Sequence, residues 1–370
     1  MKKKILFIMR DFQGGGAERV TIDYLTHLDK EKFEPIVFVL RKRGSLLSEL
    51  PNDINVVFAS EDGKRGRFEI FKILRLLFKE AKDVNVIVGT LELTTTYLAT
   101  LVGKLLGKPS VGWVHTILKY FPPANSKAHK LLSGIFYPLL NSVVCVSNGI
   151  EEDIVSRYPN LKGKTLILYN PIPIEEIVKK GSQHIDIIDS PIILGVGRLV
   201  PEKNFGLLIS AHEILVRKGI KNNLIILGEG EERERLENLI KELNLTNSVS
   251  LLGFQKNPYK YIKNADIFAL SSNLEGFAIV IAEALALGTP VVSTDCPSGP
   301  GEILKGGEFG KLVPPGNPVA LAKALEELLL DPEKVNQYVN KGLNRALDFA
   351  PNKIVPDLEK LLYQLDQSYK

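Results

Sequence analysis

Arg198 and Lys203 are the first residues whose types and spacing suggest chemistry. Both follow the apolar run at residues 192–196, which is typical of a buried parallel strand. An arginine fork and a lysine point charge that leave one strand end together can hold two phosphate groups. The neighbouring glycines, Gly195 and Gly197, favour a phosphate site over a solvated surface pair.

Two carboxylates, Glu275 and Glu283, form a second candidate. Glu275 ends a strand and its loop, whereas Glu283 lies inside an apolar helical segment, where a carboxylate is costly without a hydrogen-bonding partner. That partner is either a ribose diol or a structural arginine or backbone amide. The backbone N–H groups at the start of this helix suit a diphosphate. They belong to Ala278, Ile279 and Val280.

A third candidate is the glycine-rich turn Gly14-Gly15-Gly16, which joins an apolar run to a helical segment. Glycines allow a ligand to approach the backbone, and a helix N-terminus attracts anions. The turn lacks both the third glycine of the dinucleotide fingerprint and the lysine of a P-loop. On its own it is either a flexible turn or a phosphate or sugar site.

Short apolar runs position these residues, and amphipathic segments of helical length separate the runs. This alternation is typical of parallel sheets built from βαβ units. The predicted strands of the first half are residues 5–9, 35–40, 84–89, 110–114, 143–146 and 166–168, with helices at 17–28 and 68–79. Those of the second half are residues 192–196, 224–227, 249–252, 267–270 and 291–293.

A break separates the two series, because Pro171 and Pro173 interrupt regular structure and a polar stretch follows at residues 179–190. We therefore expect an α/β chain of two doubly wound, Rossmann-like domains, residues 1–175 and 176–354, that face a central cleft. Open sheets of this kind bind ligands at the carboxyl ends of their strands. The C-terminal helix, about residues 355–370, is expected to pack back on the first domain.

The composition is that of an ordinary globular protein, with 45% hydrophobic and 24% charged residues in 370, which excludes wholesale disorder, collagen and coiled coil. Two cysteines, Cys145 and Cys296, make neither a disulfide framework nor a zinc site. Only five apolar residues follow the first lysines, so no secretory signal is expected. Residues 131–150 are uncharged, but their polar residues indicate a helix end, a turn and a strand rather than a membrane span.

Taken together, the motifs resemble those of the retaining glycosyltransferases of family 4, which have the two-domain GT-B fold. The resemblance rests on the glycine-rich turn, on Gly-Arg-Leu-x-x-x-Lys from Gly197 to Lys203, and on the pair Glu275 and Glu283. It covers nearly the whole chain. It implies that the N-terminal domain binds the acceptor and the C-terminal domain binds a nucleotide-sugar donor.

The resemblance also implies roles for individual residues. Arg198 and Lys203 would hold the donor diphosphate, Glu275 would bind hydroxyls of the donor sugar, and Glu283 would hold the ribose. His115, which ends the strand at residues 110–114, would lie near the donor sugar, although a satisfied core histidine is the alternative. The remaining donor-binding residues would be Gly14, Gly15, Gly16, Gly228, Phe254, Ala278, Ile279 and Val280.

The expected reaction needs no cofactor and no metal. No Asp-x-Asp motif or histidine cluster is present to bind one, so cations and helix N–H groups would stabilise the leaving diphosphate. The resemblance implies retention by same-face attack. The segment at residues 295–304 departs from the family's Gly-Gly-x-Pro-Glu form and looks like that of bacterial enzymes of surface-glycan or lipid-linked oligosaccharide assembly. Those enzymes often use UDP-linked hexoses or N-acetylhexosamines, although users of GDP-mannose share the scaffold.

The charge is uneven, because residues 1–170 carry 25 Lys and Arg against 17 Asp and Glu, whereas the whole chain has a net charge of +4. A basic, amphipathic region runs from Lys64 to Lys82 and includes Lys72, Arg75 and Lys79 on one helical face. It is either an anionic membrane contact or a solvated face. Since no nucleic-acid-binding motif is visible, we expect no nucleic-acid partner.

Three functions follow. The first is a cytoplasmic glycosyltransferase, peripheral on the inner face of the cell membrane, that acts on a lipid-linked or glycan acceptor. The second is a soluble enzyme of the same fold, such as a sugar-nucleotide epimerase or a synthase that uses a small sugar phosphate. The third is a non-enzymatic nucleotide or glycan-binding protein, and the four charged residues Arg198, Lys203, Glu275 and Glu283 argue against it.

Overall fold

The predicted α/β fold of two parallel sheets is confirmed in the computed structural model, which describes residues 2–61, 67–184 and 191–368, with the backbone alone at 67–69. The first sheet contains β1 (Lys3–Met9), β2 (Phe33–Val39), β3 (Asn55–Phe58), β4 (Val86–Gly89), β5 (Ser110–Val114), β6 (Ser142–Cys145) and β7 (Thr165–Ile167). The second contains β8 (Ile192–Val196), β9 (Asn223–Leu227), β10 (Val249–Leu251), β11 (Ile267–Leu270), β12 (Val291–Thr294) and β13 (Lys311–Val313).

Fourteen α-helices lie between and after the strands in the described residues. They are α1 (Gly16–His27), α2 (Arg67–Ala81), α3 (Thr94–Leu106), α4 (Lys127–Phe136), α5 (Asn148–Arg157), α6 (Ile174–Gly181), α7 (Phe205–Arg217), α8 (Arg233–Glu242), α9 (Tyr259–Asn264), α10 (Ile279–Ala286), α11 (Pro300–Ile303), α12 (Pro318–Leu330), α13 (Pro332–Ala346) and α14 (Pro351–Ser368). None of the described helices is long and apolar enough to cross a membrane.

The chain divides into two compact units. Unit 1 comprises Met1–Pro171 and Pro351–Lys370, and unit 2 comprises Ile172–Ala350. In unit 1 the strand order is β3-β2-β1-β4-β5-β6-β7, and in unit 2 it is β10-β9-β8-β11-β12-β13, with every pair parallel. The order therefore reverses once in each sheet, between β1 and β4 and between β8 and β11. Such reversals open a crevice at the carboxyl ends of the flanking strands, where doubly wound folds bind ligands.

Burial explains why the apolar runs form the central strands. Residues Ile5 to Met9 of β1 are at most 1% exposed, since helices cover both faces of a parallel sheet. The strands β3 and β13 were not predicted. Each has three or four residues, too few for a distinct apolar run, and each pairs with only one neighbouring strand. Helix α6 was not predicted either, and it begins directly after Pro173.

The C-terminal helix α14 belongs to unit 1, where it contacts α1 and β4. Its buried Asp366 pairs with the Lys3 ammonium and accepts a hydrogen bond of 2.7 Å from the Asn85 side chain. Glu359 accepts the Asp29 backbone N–H at 2.7 Å. These polar contacts fix the last helix to the first strand, to the residue before β4 and to the loop after α1.

Candidate active site

In unit 2, Lys203 and Glu275 meet at the strand-order reversal. Lys203 follows β8 and Glu275 follows β11, and the Lys203 ammonium lies 2.6 Å from the Glu275 carboxylate. The Ser272 hydroxyl donates to the same carboxylate oxygen at 2.6 Å, and Glu275 is 8% exposed. The sequence predicted both residues as site residues, but nothing in their spacing revealed that they pair.

Arg198 stands at the same strand end and is held differently. Its side chain is exposed and makes no ion pair with the part of the chain that the structure describes. The adjacent backbone is fixed, because the Leu199 N–H donates to the Glu229 carbonyl at 2.9 Å and the Leu199 carbonyl accepts the Glu232 N–H at 3.0 Å. An unpaired guanidinium on a rigid strand end is suited to an anionic ligand.

Gly228 has a packing role that the sequence did not reveal. Its φ is +143°, and a Cβ at this position would lie 1.8 Å from the Gly197 carbonyl oxygen. Its N–H donates to the Gly253 carbonyl at 2.8 Å. The loops after β8, β9 and β10 therefore touch through their backbones. Beside them the Phe254 ring is 73% exposed, so its face is open to a planar ligand.

The backbone N–H groups predicted to bind a diphosphate, those of Ala278, Ile279 and Val280, lie at the start of the eight-residue helix α10. Ala278 caps the helix in the left-handed conformation, at φ 63° and ψ 56°, which costs a non-glycine residue about 1–2 kcal/mol. The Ser298 hydroxyl stabilises the loop before α10 by donating to the Gly276 carbonyl at 2.8 Å. Because the first N–H groups of a helix have no intrahelical acceptor, those of Ile279 and Val280 are available to an anion.

Glu283 has a hydrogen-bonding partner that the sequence did not indicate. The Tyr259 hydroxyl donates to its carboxylate at 3.0 Å, and both side chains are buried. The structure thus provides a phenol where an arginine or a backbone amide was the expected structural partner. An ionised carboxylate accepts about four hydrogen bonds, so the bond from Tyr259 does not prevent Glu283 from binding a ribose as well. Ribose binding by Glu283 therefore stays a prediction.

The glycine-rich turn and His115 belong to unit 1, unlike the other predicted site residues. Gly14 has φ +114°, a conformation that favours glycine, and Gly15 caps α1, whose first residue is Gly16. The Glu18 carboxylate lies so close to Gly15 that a Cβ there would be 2.3 Å from it. An acidic side chain therefore covers this helix start, which was predicted to approach a diphosphate.

His115 is a neutral, half-buried side chain. Its Nε2 lies 3.1 Å from the Thr90 carbonyl oxygen, which can only accept, so Nε2 carries the proton and Nδ1 is the acceptor. Burial lowers the pKa of His115 to about 4. The ring stacks on Trp113 with 5.7 Å between centroids. His115 can thus accept a hydrogen bond from a hydroxyl at its Nδ1, but it carries no charge at neutral pH.

Sequence reasoning missed three charged residues of unit 1. Asp11 is fully buried after β1 and accepts from the Arg43 guanidinium at 2.8 and 3.1 Å. Glu92 follows β4 and accepts the His115 backbone N–H at 3.2 Å. Asp11 and Glu92 could have been found in the same way as Arg198, because each is a charged residue close after an apolar run that predicts a buried strand. Among the described residues, no three His, Cys, Asp or Glu side chains form a group that could hold a metal ion.

The predicted basic region lies partly outside the described residues, since these exclude residues 62–66 and the side chains of 67–69. Of its remainder, side chains of α2 and the following Lys82 line an open surface groove of about 570 Å³. The groove is lined by Lys72, Arg75, Leu76, Phe78, Lys79 and Lys82. Beside these residues the Phe71 side chain is 70% exposed. Basic and apolar side chains thus share one accessible surface, which we call the α2 surface.

Comparisons with known proteins agree with this architecture. The family model described as glycosyl transferases group 1 matches residues 179–345, and that of glycosyltransferase family 4 matches residues 14–176. The chain is 34% identical, over 98% of its length and 100% of the relative, to N-acetylgalactosamine-N,N'-diacetylbacillosaminyl-diphospho-undecaprenol 4-alpha-N-acetylgalactosaminyltransferase of Campylobacter jejuni.

Two further similarities cover nearly the whole chain. A second Campylobacter jejuni protein, GalNAc-alpha-(1->4)-GalNAc-alpha-(1->3)-diNAcBac-PP-undecaprenol alpha-1,4-N-acetyl-D-galactosaminyltransferase, is 26% identical over 98% of this chain and 99% of its own length. Among solved structures, HepE of Anabaena in complex with UDP-glucose superposes with a TM-score of 0.83 at 22% identity. That match covers 98% of this chain and 99% of HepE, and it shows a common fold.

Proposed function

The chain belongs to the group 1 glycosyl transferases of family 4, and from this premise we propose that it moves a hexose or N-acetylhexosamine from a UDP-sugar to a lipid-linked glycan acceptor. The proposal includes retention of the anomeric configuration and independence of metal ions. Unit 2 would bind the donor and unit 1 the acceptor. The relatives' chemistry and the side chains at the two strand-order reversals support these assignments.

The contact that carries the proposal is the ion pair between Lys203 and Glu275 beside the unpaired Arg198. A nucleotide sugar presents a diphosphate next to sugar hydroxyls. Two cations suit the first group, and a carboxylate with a hydrogen-bonded serine suits the second. As the donor C1–O bond breaks, Arg198 and Lys203 would balance the charge that develops on the diphosphate. The acceptor oxygen would bond to C1 on the same face, and its proton would pass to the leaving phosphate.

The relatives support the choice of substrates. Both Campylobacter proteins carry names that specify an undecaprenol diphosphate acceptor and an α-linked N-acetylgalactosamine product. Retention converts an α-linked nucleotide sugar into such a product. HepE was crystallised with UDP and with UDP-glucose. In this chain the exposed Phe254 ring, beside the glycine-mediated loop contacts, would stack on the uracil base.

A lipid-linked acceptor would be presented at a membrane. We place the enzyme on the inner face of the cell membrane, bound peripherally through the region from Lys64 to Lys82. The lysines and the arginine of the α2 surface would attract anionic lipid headgroups, and the exposed Phe71 would enter the interface.

A donor panel tests the proposed function. The purified chain is mixed with UDP-, GDP- and ADP-sugars in the presence of EDTA, and thermal shift and slow nucleotide release are measured. We expect one UDP-sugar to stabilise the protein and to release UDP, and both effects to be lost in Arg198→Ala. Arg217→Ala is the matched control, because it removes an exposed arginine of unit 2 whose one ion pair within the described part of the chain is with Glu213 on its own helix.

Other outcomes separate the alternatives. A selective shift with a GDP-sugar would change the donor but keep the site. Activity that EDTA abolishes would refute metal independence. Conversion of the nucleotide sugar to an isomer, or transfer to a free sugar phosphate, would favour the soluble epimerase or synthase. No shift with any donor would refute the donor site itself.

A further inference from the structure

Glu92, one of the charged residues at the strand-order reversal of unit 1, has no role in the chemistry described so far. It follows β4, and the reversal lies between β4 and β1. In unit 2 the corresponding position after β11 is occupied by the loop of Glu275. Because crevices at such reversals are the usual ligand sites of doubly wound sheets, a carboxylate at this place is positioned to contact a ligand.

The backbone around Glu92 is held under strain. Leu93, the next residue, has φ 66° and ψ −113°, a conformation that branched side chains rarely adopt. Three threonine hydroxyls secure the loop: Thr95 and Thr96 donate to the Leu91 carbonyl at 2.6 and 2.7 Å, and Thr90 donates to the Ile8 carbonyl at 2.9 Å. Strained backbone that is fixed by its surroundings clusters at functional sites.

The surroundings of the Glu92 carboxylate suit an uncharged ligand with hydrogen-bond donors. The side chain is half-buried, and one oxygen accepts the His115 N–H at 3.2 Å, which uses part of its capacity of about four hydrogen bonds. Burial raises the pKa of Glu92, and Glu18 raises it further, whereas Arg10 lowers it. Next to it His115 presents the unprotonated Nδ1. Both groups are acceptors, so they complement hydroxyl or amide N–H groups, and the Glu92 carboxylate also repels an anionic group placed directly against it.

We propose that Glu92 binds the acceptor sugar, accepting hydrogen bonds from its hydroxyls or its acetamido N–H, and that it restricts the acceptor to uncharged sugars. The inference rests on the proposed function, in which unit 1 binds the acceptor. It adds a residue and a chemical class to that function. A hexuronate at the same position would bring a second carboxylate next to Glu92 and would be refused.

The test compares Glu92→Gln with the wild-type chain. The donor is UDP-N-acetylgalactosamine, and the acceptor is N-acetylgalactosamine linked to a short prenyl diphosphate. Nucleotide release without acceptor reports on the donor chemistry alone. We expect the variant to lose at least tenfold in kcat/KM for the acceptor and to keep donor affinity and acceptor-free release within twofold. Glu152→Gln, which removes an exposed carboxylate of unit 1, should behave as wild type.

The charge restriction supplies a readout that a structural role would not move. With a hexuronate on the same prenyl diphosphate, the wild-type chain should prefer the neutral acceptor, and Glu92→Gln should reduce that preference at least fivefold. If Glu92→Gln unfolds, Glu92→Asp keeps the charge but withdraws it by one methylene. In that variant the acceptor KM should rise while donor release stays unchanged.

Three results would overturn the inference. The first is an acceptor kcat/KM of Glu92→Gln within twofold of wild type, with the preference for neutral sugars unchanged. The second is an equal loss of transfer and acceptor-free release, which would make Glu92 a support for His115. The third is a wild-type chain that releases UDP but glycosylates neither acceptor. That last result refutes the acceptor part of the proposed function, whereas absence of release refutes the donor part.

Discussion

Both sheets reverse their strand order once, but the two reversal points carry different side chains. In unit 2 the exposed Arg198 has no ion-pair partner among the described residues, and Lys203 lies against Glu275. In unit 1, Arg10 at the reversal and Arg43 from the loop after β2 both contact the buried Asp11. Besides the half-exposed Arg10 side chain, the groups left for a ligand there are two acceptors, the Glu92 carboxylate and the Nδ1 of His115.

This difference follows from what each unit is proposed to bind. A diphosphate carries a fixed negative charge and needs cations whose position does not change during the reaction. A sugar acceptor carries only hydrogen-bond donors and acceptors, for which neutral or weakly charged partners suffice. On this proposal one fold supports two kinds of site, because the loops after the strands differ while the arrangement of parallel strands is shared.

The largest expected effect concerns the ion pair of unit 2. Lys203→Met should lower transfer and acceptor-free nucleotide release about 100- to 1,000-fold, the range for loss of one preorganised electrostatic contact. It should also destabilise the fold by about 2 kcal/mol, because Glu275 loses its cation while buried. The double variant Lys203→Met/Glu275→Gln separates the two roles. It should recover most of the stability and none of the activity; recovered activity would reduce the pair to a structural contact.

The next effect concerns the buried pair of unit 1. Arg43→Ala leaves Asp11 with the weaker contact to Arg10, at 3.3 Å, and should destabilise unit 1 by about 2 kcal/mol. The single tryptophan, Trp113, lies in β5, so its fluorescence during urea unfolding reports on unit 1 alone. UDP-sugar binding reports on unit 2 and should persist. Equal loss of both signals would show that the units do not respond separately.

The two reversal points also differ in how far the sequence predicted them. The strands were predictable because parallel strands buried on both faces are continuous apolar runs. Arg198, Lys203 and Glu275 stood out because each charge follows such a run at a motif spacing. The pairing of Lys203 with Glu275 is a contact across 72 residues that no local pattern encodes. The hydrogen bond from the Tyr259 hydroxyl to Glu283 could not be predicted for the same reason, since the two residues are 24 positions apart.

Unit 1 was harder to predict at its site. Glu92 lies in the segment Thr90-Leu91-Glu92-Leu93, where apolar residues hide the charge, and its importance depends on strand order, which sequence does not give directly. The domain boundaries expected at residues 175 and 354 compare with unit limits at Pro171 and Ala350. A proline marks each limit, Pro171 and Pro351, but no polar linker separates the helices on either side of the second limit.

A smaller effect is expected at the α2 surface. Lys79→Gln should weaken binding to vesicles that contain anionic lipid by about 1 kcal/mol, or about fivefold, since each basic residue near a membrane contributes about that much. Lys323→Gln removes an exposed lysine of α12 in unit 2 and is the control. Flotation of both variants with anionic and neutral vesicles gives the comparison. Equal binding by both variants would exclude the α2 surface and leave the acceptor lipid as the membrane contact.

The smallest effect on activity is expected for pH. It contrasts the charged side chains of the proposed donor site with the uncharged ring of His115. Because the pKa of His115 is lowered to about 4, its ring stays neutral from pH 5.5 to 8, and its titration should change transfer less than twofold there. The lowered pKa of His115 also predicts how the free energy of unfolding depends on pH. Between pH 4 and 6.5 the unfolded chain binds the proton more readily than the folded one, so unit 1 should gain stability as pH rises through that window. NMR titration of the His115 imidazole and urea unfolding followed by Trp113 measure both. An NMR titration midpoint near pH 6.5 would mean that the His115 ring is solvated and becomes charged in mild acid. A charged ring has no free acceptor at Nδ1, so the proposed hydrogen bond to Nδ1 would be refuted.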